Sequence, residues 1–203
     1  MAETPETSFQ YDAFLSYSHA VDGRLGPQLR RELHRLARPW YGLRSMRVFL
    51  DQTNLSASPE LWPSIEKALD GSRNFVLLAS PDAARSKWVR KEVERWLARH
   101  RTRGLLIART EGEIVWGGRD FDWERTDALP PALTGAFTQE PGWVDLRWAK
   151  SRAELGRRSK PFLKAVAKLA APIRGVDVEE LLNEDRIEQN KRLYGVVIGA
   201  ALL

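Results

Sequence analysis

A chain of 203 residues, 43% of them apolar and eight of them tryptophan, can bury one sizeable core with an appendage, which excludes wholesale disorder. The absence of cysteine rules out disulfides and thiolate chemistry and suits a reducing cytoplasm, and His19, His34 and His100 lie too far apart for metal-ligand spacing. The net charge of +5 is unevenly placed: Arg85 to Arg103 holds eight basic residues against two acidic, and Arg24 to Arg47 seven against one. Such segments could attract a phosphate-bearing ligand, nucleic acid or a membrane surface, but solvated helix faces are the commoner origin. No nucleic-acid partner is expected.

Met1 to Gln10 is polar and acidic, without the basic start and apolar core of a signal peptide, and reads as a flexible tail. Tyr11 to Tyr17 (YDAFLSY) is an apolar and aromatic run leading into Ser18 and His19, a buried strand followed by a polar loop. Arg24 to Ala37 follows as a helix, with Leu25, Leu29, Leu33 and Leu36 at helical spacing and Pro39 as its stop. Val48 to Leu50 is a second short strand closed by Asp51, and Gln52 to Pro59 gathers turn formers into a mobile loop. Ser58-Pro59-Glu60 starts the next helix with a serine cap, a proline and an acid; Leu61, Ile65 and Leu69 form its buried stripe, and Gly71 ends it.

Asn74 to Leu97 carries the strongest signal. Phe75 to Ala79 is an unbroken apolar run closed by Ser80-Pro81, as in a strand covered on both faces. From Ser86 a helix is expected, with Trp88, Val89, Val93, Trp96 and Leu97 on its core face. Trp88 and Glu92, four apart, share one helix surface near the carboxyl edge of the sheet, where open α/β folds bind ligands. A lone carboxylate there is a candidate for chemistry. Spacing alone favours Glu92 as an exposed helix residue paired with Arg95, and Trp88 as core, where it can still face a substrate.

Gly104 to Ala108 is a fourth strand candidate. Thr110 to Asp127, with six acids against two arginines, reads as a hairpin or lid-like insertion in which Ile114-Val115-Trp116 is a candidate strand. Pro130 to Phe137 reads as a short helix and Trp143 to Trp148 as a fifth, edge strand. Pro161 to Ala171 is an amphipathic helix ended near Pro172, and Val176 to Leu193 another. The domain organisation is then a tail (residues 1–10), an α/β domain (11–150), a C-terminal helical extension (151–192) and an apolar tail (193–203). The apolar Leu193 to Leu203 follows Lys191-Arg192 and extends only about 16 Å as a helix, roughly half a bilayer core. It fits the start of a transmembrane segment if the chain continues, or a packed tail if it ends.

Alternating strands and helices predict a parallel sheet with helices on both faces and right-handed crossovers, in a compact flavodoxin-like order. No G-x-G-x-x-G or G-x-x-x-x-G-K-[ST] occurs, so any nucleotide is held in another way.

Four segments in order, YDAFLSYS, the loop after VFLD, NFVLLASP and above all SKWVRKEV, resemble a bacterial TIR (Toll/interleukin-1 receptor) domain from Tyr11 to Arg109, and less closely to Trp148. The resemblance implies a five-stranded parallel sheet in a three-layer flavodoxin-like fold, with Gln52 to Pro59 as the BB loop and Asn54, Leu55, Ser56, Ala57 and Ser58 as its assembly segment. It implies that the W-x-x-x-E pattern places a catalytic glutamate at Glu92, with Trp88 as its partner. NAD+ would be the substrate, not a cofactor, contacted by Tyr17, Ser18, His19, Asp51 and Trp88, and no metal is called for. Other TIR domains are the implied partners, in a homo-oligomer or filament. The block RLARPWYGLRSMRVFLDQTNLSASPELWPSIEKALD also resembles bacterial TIR domains placed before a transmembrane helix and a WD-repeat propeller, which makes the residues after Lys191 a candidate membrane tether on a cytoplasmic protein. Enzymatic members often carry basic residues after the first-strand tyrosine, whereas Ser18 and His19 stand here.

The chemistry stands apart from the name. Nicotinamide leaves readily because its ring nitrogen is cationic in NAD+ and neutral once expelled, so no general acid is needed. An oxocarbenium-like transition state then wants a nearby negative charge and a fixed ribose. Water capture gives ADP-ribose, and attack from the same molecule gives a cyclic product. Three readings follow: an NAD+ glycohydrolase activated by self-assembly in bacterial defence or stress signalling, a signalling scaffold acting by TIR–TIR association, and a nucleotide-sensing or ADP-ribosyl-transferring module.

Overall fold

The computed structural model describes residues 9–36, 46–50, 61–156 and 159–183. Five strands, β1 (Ala13–Ser16), β2 (Val48–Leu50), β3 (Phe75–Ala79), β4 (Leu105–Arg109) and β5 (Trp143–Asp145), form one sheet in the spatial order β2-β1-β3-β4-β5. Every pairing is parallel, with Phe14 opposite Phe75, Ser16 opposite Leu77 and Ala79 opposite Arg109. This is the expected flavodoxin-like order, in which the chain reverses its direction of growth between β1 and β3 and leaves a crevice at their carboxyl ends.

Helices α1 (His19–Asp22), α2 (Leu25–Leu36), α3 (Leu61–Asp70), α4 (Pro81–Arg85), α5 (Lys87–His100) and α6 (Lys160–Arg174) follow, and residues 178–183 are again helical. Leucines of α2 and the buried face of α6 pack on Ala13, Leu15, Val76, Leu78 and Ala108. Ile65 and Leu69 of α3 and Val89, Val93 and Trp96 of α5 pack on Phe14, Phe75, Leu77 and Ile107. Covered on both faces, β1 and β3 are buried at every position, which is why they read as unbroken apolar runs. Phe14, Phe75 and Trp96 continue through the second layer as a row of rings, Phe14 stacked on Phe75 at 5.8 Å between centroids and Trp96 tilted against Phe75 at 5.5 Å.

Three local expectations are corrected. Ile114-Val115-Trp116 is not a strand: the only pairing there is a single bridge between Trp116 and Phe121. The backbone is instead occupied by a side chain, since Val115 donates its N–H to Thr126 Oγ1 at 3.0 Å and the Thr126 hydroxyl donates back to the Val115 carbonyl at 3.2 Å. Pro130 to Phe137 contains one 3-10 turn, Pro131–Leu133, because the Pro131 carbonyl accepts from both the Thr134 N–H (3.0 Å) and its hydroxyl (2.7 Å), and Gly135 follows at φ +66°. Helix α6 passes Pro172 and ends at Gly175, whose left-handed backbone (φ +69°) lets its N–H close on the Ala171 carbonyl. A proline in the last turn removes a single hydrogen bond, which the buried face of α6 outweighs. The segment Gln52 to Pro59, Asp51 and Leu193 to Leu203 lie outside the described residues. Among the described residues no helix is long and apolar enough to cross a membrane.

Candidate active site

Side chains alternate along β1: Leu15 and Tyr17 enter the α2/α6 core, while Phe14 and, by the same alternation, Ser16 face α3 and α5. Ser16 is thereby placed at the carboxyl end of the strand, beside the crevice. Helix α5 approaches from the same face. Its start is fixed by Ser86, whose side chain accepts the Val89 N–H at 3.3 Å, and Val89, Glu92, Val93 and Trp96 form its buried stripe.

Glu92 is wholly buried, as is Ser16, and the Ser16 hydroxyl donates to Glu92 Oε2 at 2.5 Å. The contact joins β1 to α5 through two side chains that are both wholly buried. The reading of Glu92 as an exposed residue paired with Arg95 does not hold. Arg95 reaches instead to Asp70 at the end of α3, at 2.7 and 3.1 Å, and Arg99 joins the same carboxylate at 3.2 Å.

Trp88, one turn before Glu92, is 37% exposed and belongs to the surface, not to the core. Its ring lies 6.0 Å from that of Trp62 in α3, with the Lys91 ammonium 5.1 Å from one centroid and 5.4 Å from the other. The two tryptophans and the cation thus form a partly exposed aromatic cluster near the starts of α3 and α5. Tyr17 is buried on the other face, its ring 4.4 Å from the His19 ring, its hydroxyl 3.4 Å from His19 Nδ1. A side chain at Gly26 would lie 3.1 Å from the Tyr17 ring, so α2 packs closely over it at this glycine. Ser18 is half-buried; its carbonyl accepts the Asp22 N–H at 2.8 Å. The structure therefore joins Ser16 to Glu92, Trp88 to Trp62 and Tyr17 to His19. It places the first two pairs on the α3/α5 side and the third on the α2 side.

Two further charged groups line the carboxyl edge. Asp22, 2% exposed, faces a cavity of about 70 Å³ lined by Leu25, Thr110, Leu146 and Lys150. Burial pushes its carboxyl up to about 6, against the pull of the Thr110 hydroxyl and the Lys150 charge, and Oδ2 makes no hydrogen bond. Beyond β4, Arg109 binds Glu113 at 2.9 Å and Asp145 at 2.7 Å, and Arg147 binds the same two acids at 2.6 and 3.0 Å. This network clamps the ends of β4 and β5. Burial alone pushes the Asp145 carboxyl up, but hydrogen bonds from Arg147 and Arg109 outweigh it and hold it at about 2.

Ser16 was not singled out among the sequence candidates, although a polar residue ending an apolar strand one position before Tyr17 is a usable signal. Glu92 falls at i+3 from Val89 and i−4 from Trp96, a core position that itself marks a buried acid.

The sequence profile of the TIR domain matches residues 14–155. The chain is 51% identical over 186 residues to the NAD(+) hydrolase ApTIR of Actinoplanes sp., covering 91% of this chain and 26% of that relative. It is 27% identical over 110 residues to the NAD(+) hydrolase TcpA of a Theionarchaea archaeon, covering 54% of this chain and 28% of the relative. The chain thus spans roughly a quarter of the length of these relatives. Among solved structures, the TIR domains of the activated Roq1 resistosome recognising the effector XopQ align over 89% of this chain and 99% of that one, at 17% identity and a TM-score of 0.41. The chain belongs to the TIR domain family.

Proposed function

We propose that this domain is an NAD+ glycohydrolase that cleaves the bond between nicotinamide and ribose, with Glu92 as the catalytic residue. The observation that carries the reading is a buried carboxylate held at the carboxyl end of the first strand, in a chain half identical to a relative named as an NAD(+) hydrolase. With NAD+ in the crevice, the electron pair of the C1′–N bond passes to the cationic nicotinamide nitrogen, which leaves neutral. The positive charge that develops on C1′ and the ring oxygen is met by the Glu92 carboxylate. Water then adds to C1′ and releases a proton, giving ADP-ribose; a nucleophile of the same molecule gives a cyclic product instead. Trp88 fits the wall of that site, and Ser18, His19 and Asp51 fit contacts to the remainder of NAD+, while Tyr17 acts from beneath His19.

Association with further TIR domains through residues 54–58 is part of the same proposal. So is a cytoplasmic setting with a tether after Lys191. A specific observation favours a second reading: Glu92 is fully covered, so a substrate reaches it only after an opening. A scaffold that recruits other TIR domains would need no such opening.

Nicotinamide release by the concentrated protein, followed beside Glu92→Ala and Glu92→Gln, tests the proposal. Release that both substitutions abolish supports it. Silence of the unaltered chain under every assembling condition favours the scaffold, and activity surviving both substitutions removes Glu92 from the role.

A further inference from the structure

Ser16 and Glu92 are 76 residues apart in sequence and share a buried hydrogen bond on the sheet face packed by Phe14, Leu77, Ala79, Val89 and Val93. A buried carboxyl group is held in one orientation by polar donors fixed beside it. The backbone of Ser16 is itself pinned, because it sits opposite Leu77 of β3, and the residue before it is also paired to β2. The hydroxyl is therefore a donor on a rigid element, aimed at one oxygen of the group proposed to meet the developing charge on ribose.

We infer that Ser16 is a positioning residue for Glu92: its hydroxyl fixes Oε2, so that the carboxyl group enters the reaction in a single orientation. The inference rests on the catalytic role proposed for Glu92. Ser16 does not touch the substrate in this account; it acts through the carboxylate, as the supporting partners of metal ligands and catalytic groups do, where loss of one partner costs about 10- to 100-fold.

Kinetics of nicotinamide release separate this role from a packing role. Ser16→Ala is expected to lower kcat by about 10- to 100-fold and to leave KM within about twofold, since the interaction lost is one that serves the transition state. Ser16→Cys, near in shape but a weak donor, should fall between the two. In the Glu92→Ala background Ser16→Ala should cause no further loss of residual activity. A urea-unfolding cycle over Ser16→Ala, Glu92→Ala and the double variant should be non-additive, a readout independent of turnover. Full kcat in a folded Ser16→Ala protein overturns the inference while leaving the proposed function intact. Additive losses in both cycles overturn it as well. An unaltered chain that never releases nicotinamide overturns the proposed function and this inference with it, even where the unfolding cycle shows the pair to be coupled.

Discussion

Asp22 offers a test of the fold whose size follows from its surroundings. Its carboxyl is 2% exposed and rises from 3.8 to about 6, chiefly through burial. The native state thus holds this proton more tightly than the unfolded chain does. Stability from this group is fully present below 3.8, falls as pH rises through the window between 3.8 and about 6, and is level above it. A shift of about 2 units corresponds to about 3 kcal/mol. Asp22→Asn removes the charge and retains the shape; about 1 kcal/mol is returned through an altered hydrogen bond with Thr110. The variant should therefore be more stable than the parent by about 2 kcal/mol above about pH 7, and no more stable below about pH 4. Urea unfolding at several pH values measures both curves. A variant that is less stable at high pH, or a difference that does not change between about pH 4 and 7, would refute the reasoning that burial of the charge is the dominant cost.

Two other outcomes follow from the same side-chain environments. Trp96→Ala should destabilise the domain by about 3–5 kcal/mol because it empties a fully buried site beside Phe75, whereas Trp88→Ala, at an exposed position, should cost less than about 1 kcal/mol in the same denaturation assay. Asp145, held at about 2 by Arg147 and Arg109, contributes stability that is present above 3.8 and lost as pH falls towards 2. Asp145→Asn should accordingly cost stability at neutral pH, and acid titration of unfolding should show that cost shrinking across that window.

Much of the architecture is legible in the residues themselves. Phe75 to Ala79 and Val48 to Leu50 form strands with those same bounds, since an unbroken apolar run has few ways to be buried other than between two helical layers. The insertion after β4 was not legible in detail: Ile114 to Trp116 has strand-like residues, but a threonine eleven positions away along the chain takes the hydrogen bonds a partner strand would use. Pattern also misplaced Trp88. Tryptophan at helical spacing suggests core, yet the true stripe is Val89, Glu92, Val93 and Trp96, with a charged residue at one of its centres. A hydrophobic reading passes over a buried glutamate, because burial of an acid depends on a donor from a distant strand, here Ser16. The pairing of Asp70 with Arg95 has the same origin, joining residues 25 apart on two helices.

The central claim is that one carboxylate, Glu92, meets the charge developing on the ribose. Single-turnover release of nicotinamide from NAD+ by the assembled protein, compared between the unaltered chain and Glu92→Gln, tests it most directly. Glutamine keeps the size and hydrogen-bonding capacity of the side chain and removes its charge. The account predicts that the rate falls by at least about 100-fold, as for loss of one charge-stabilising group, while the unfolding midpoint shows the variant still folded. A Glu92→Gln protein that is folded and cleaves NAD+ at the parent rate would contradict it.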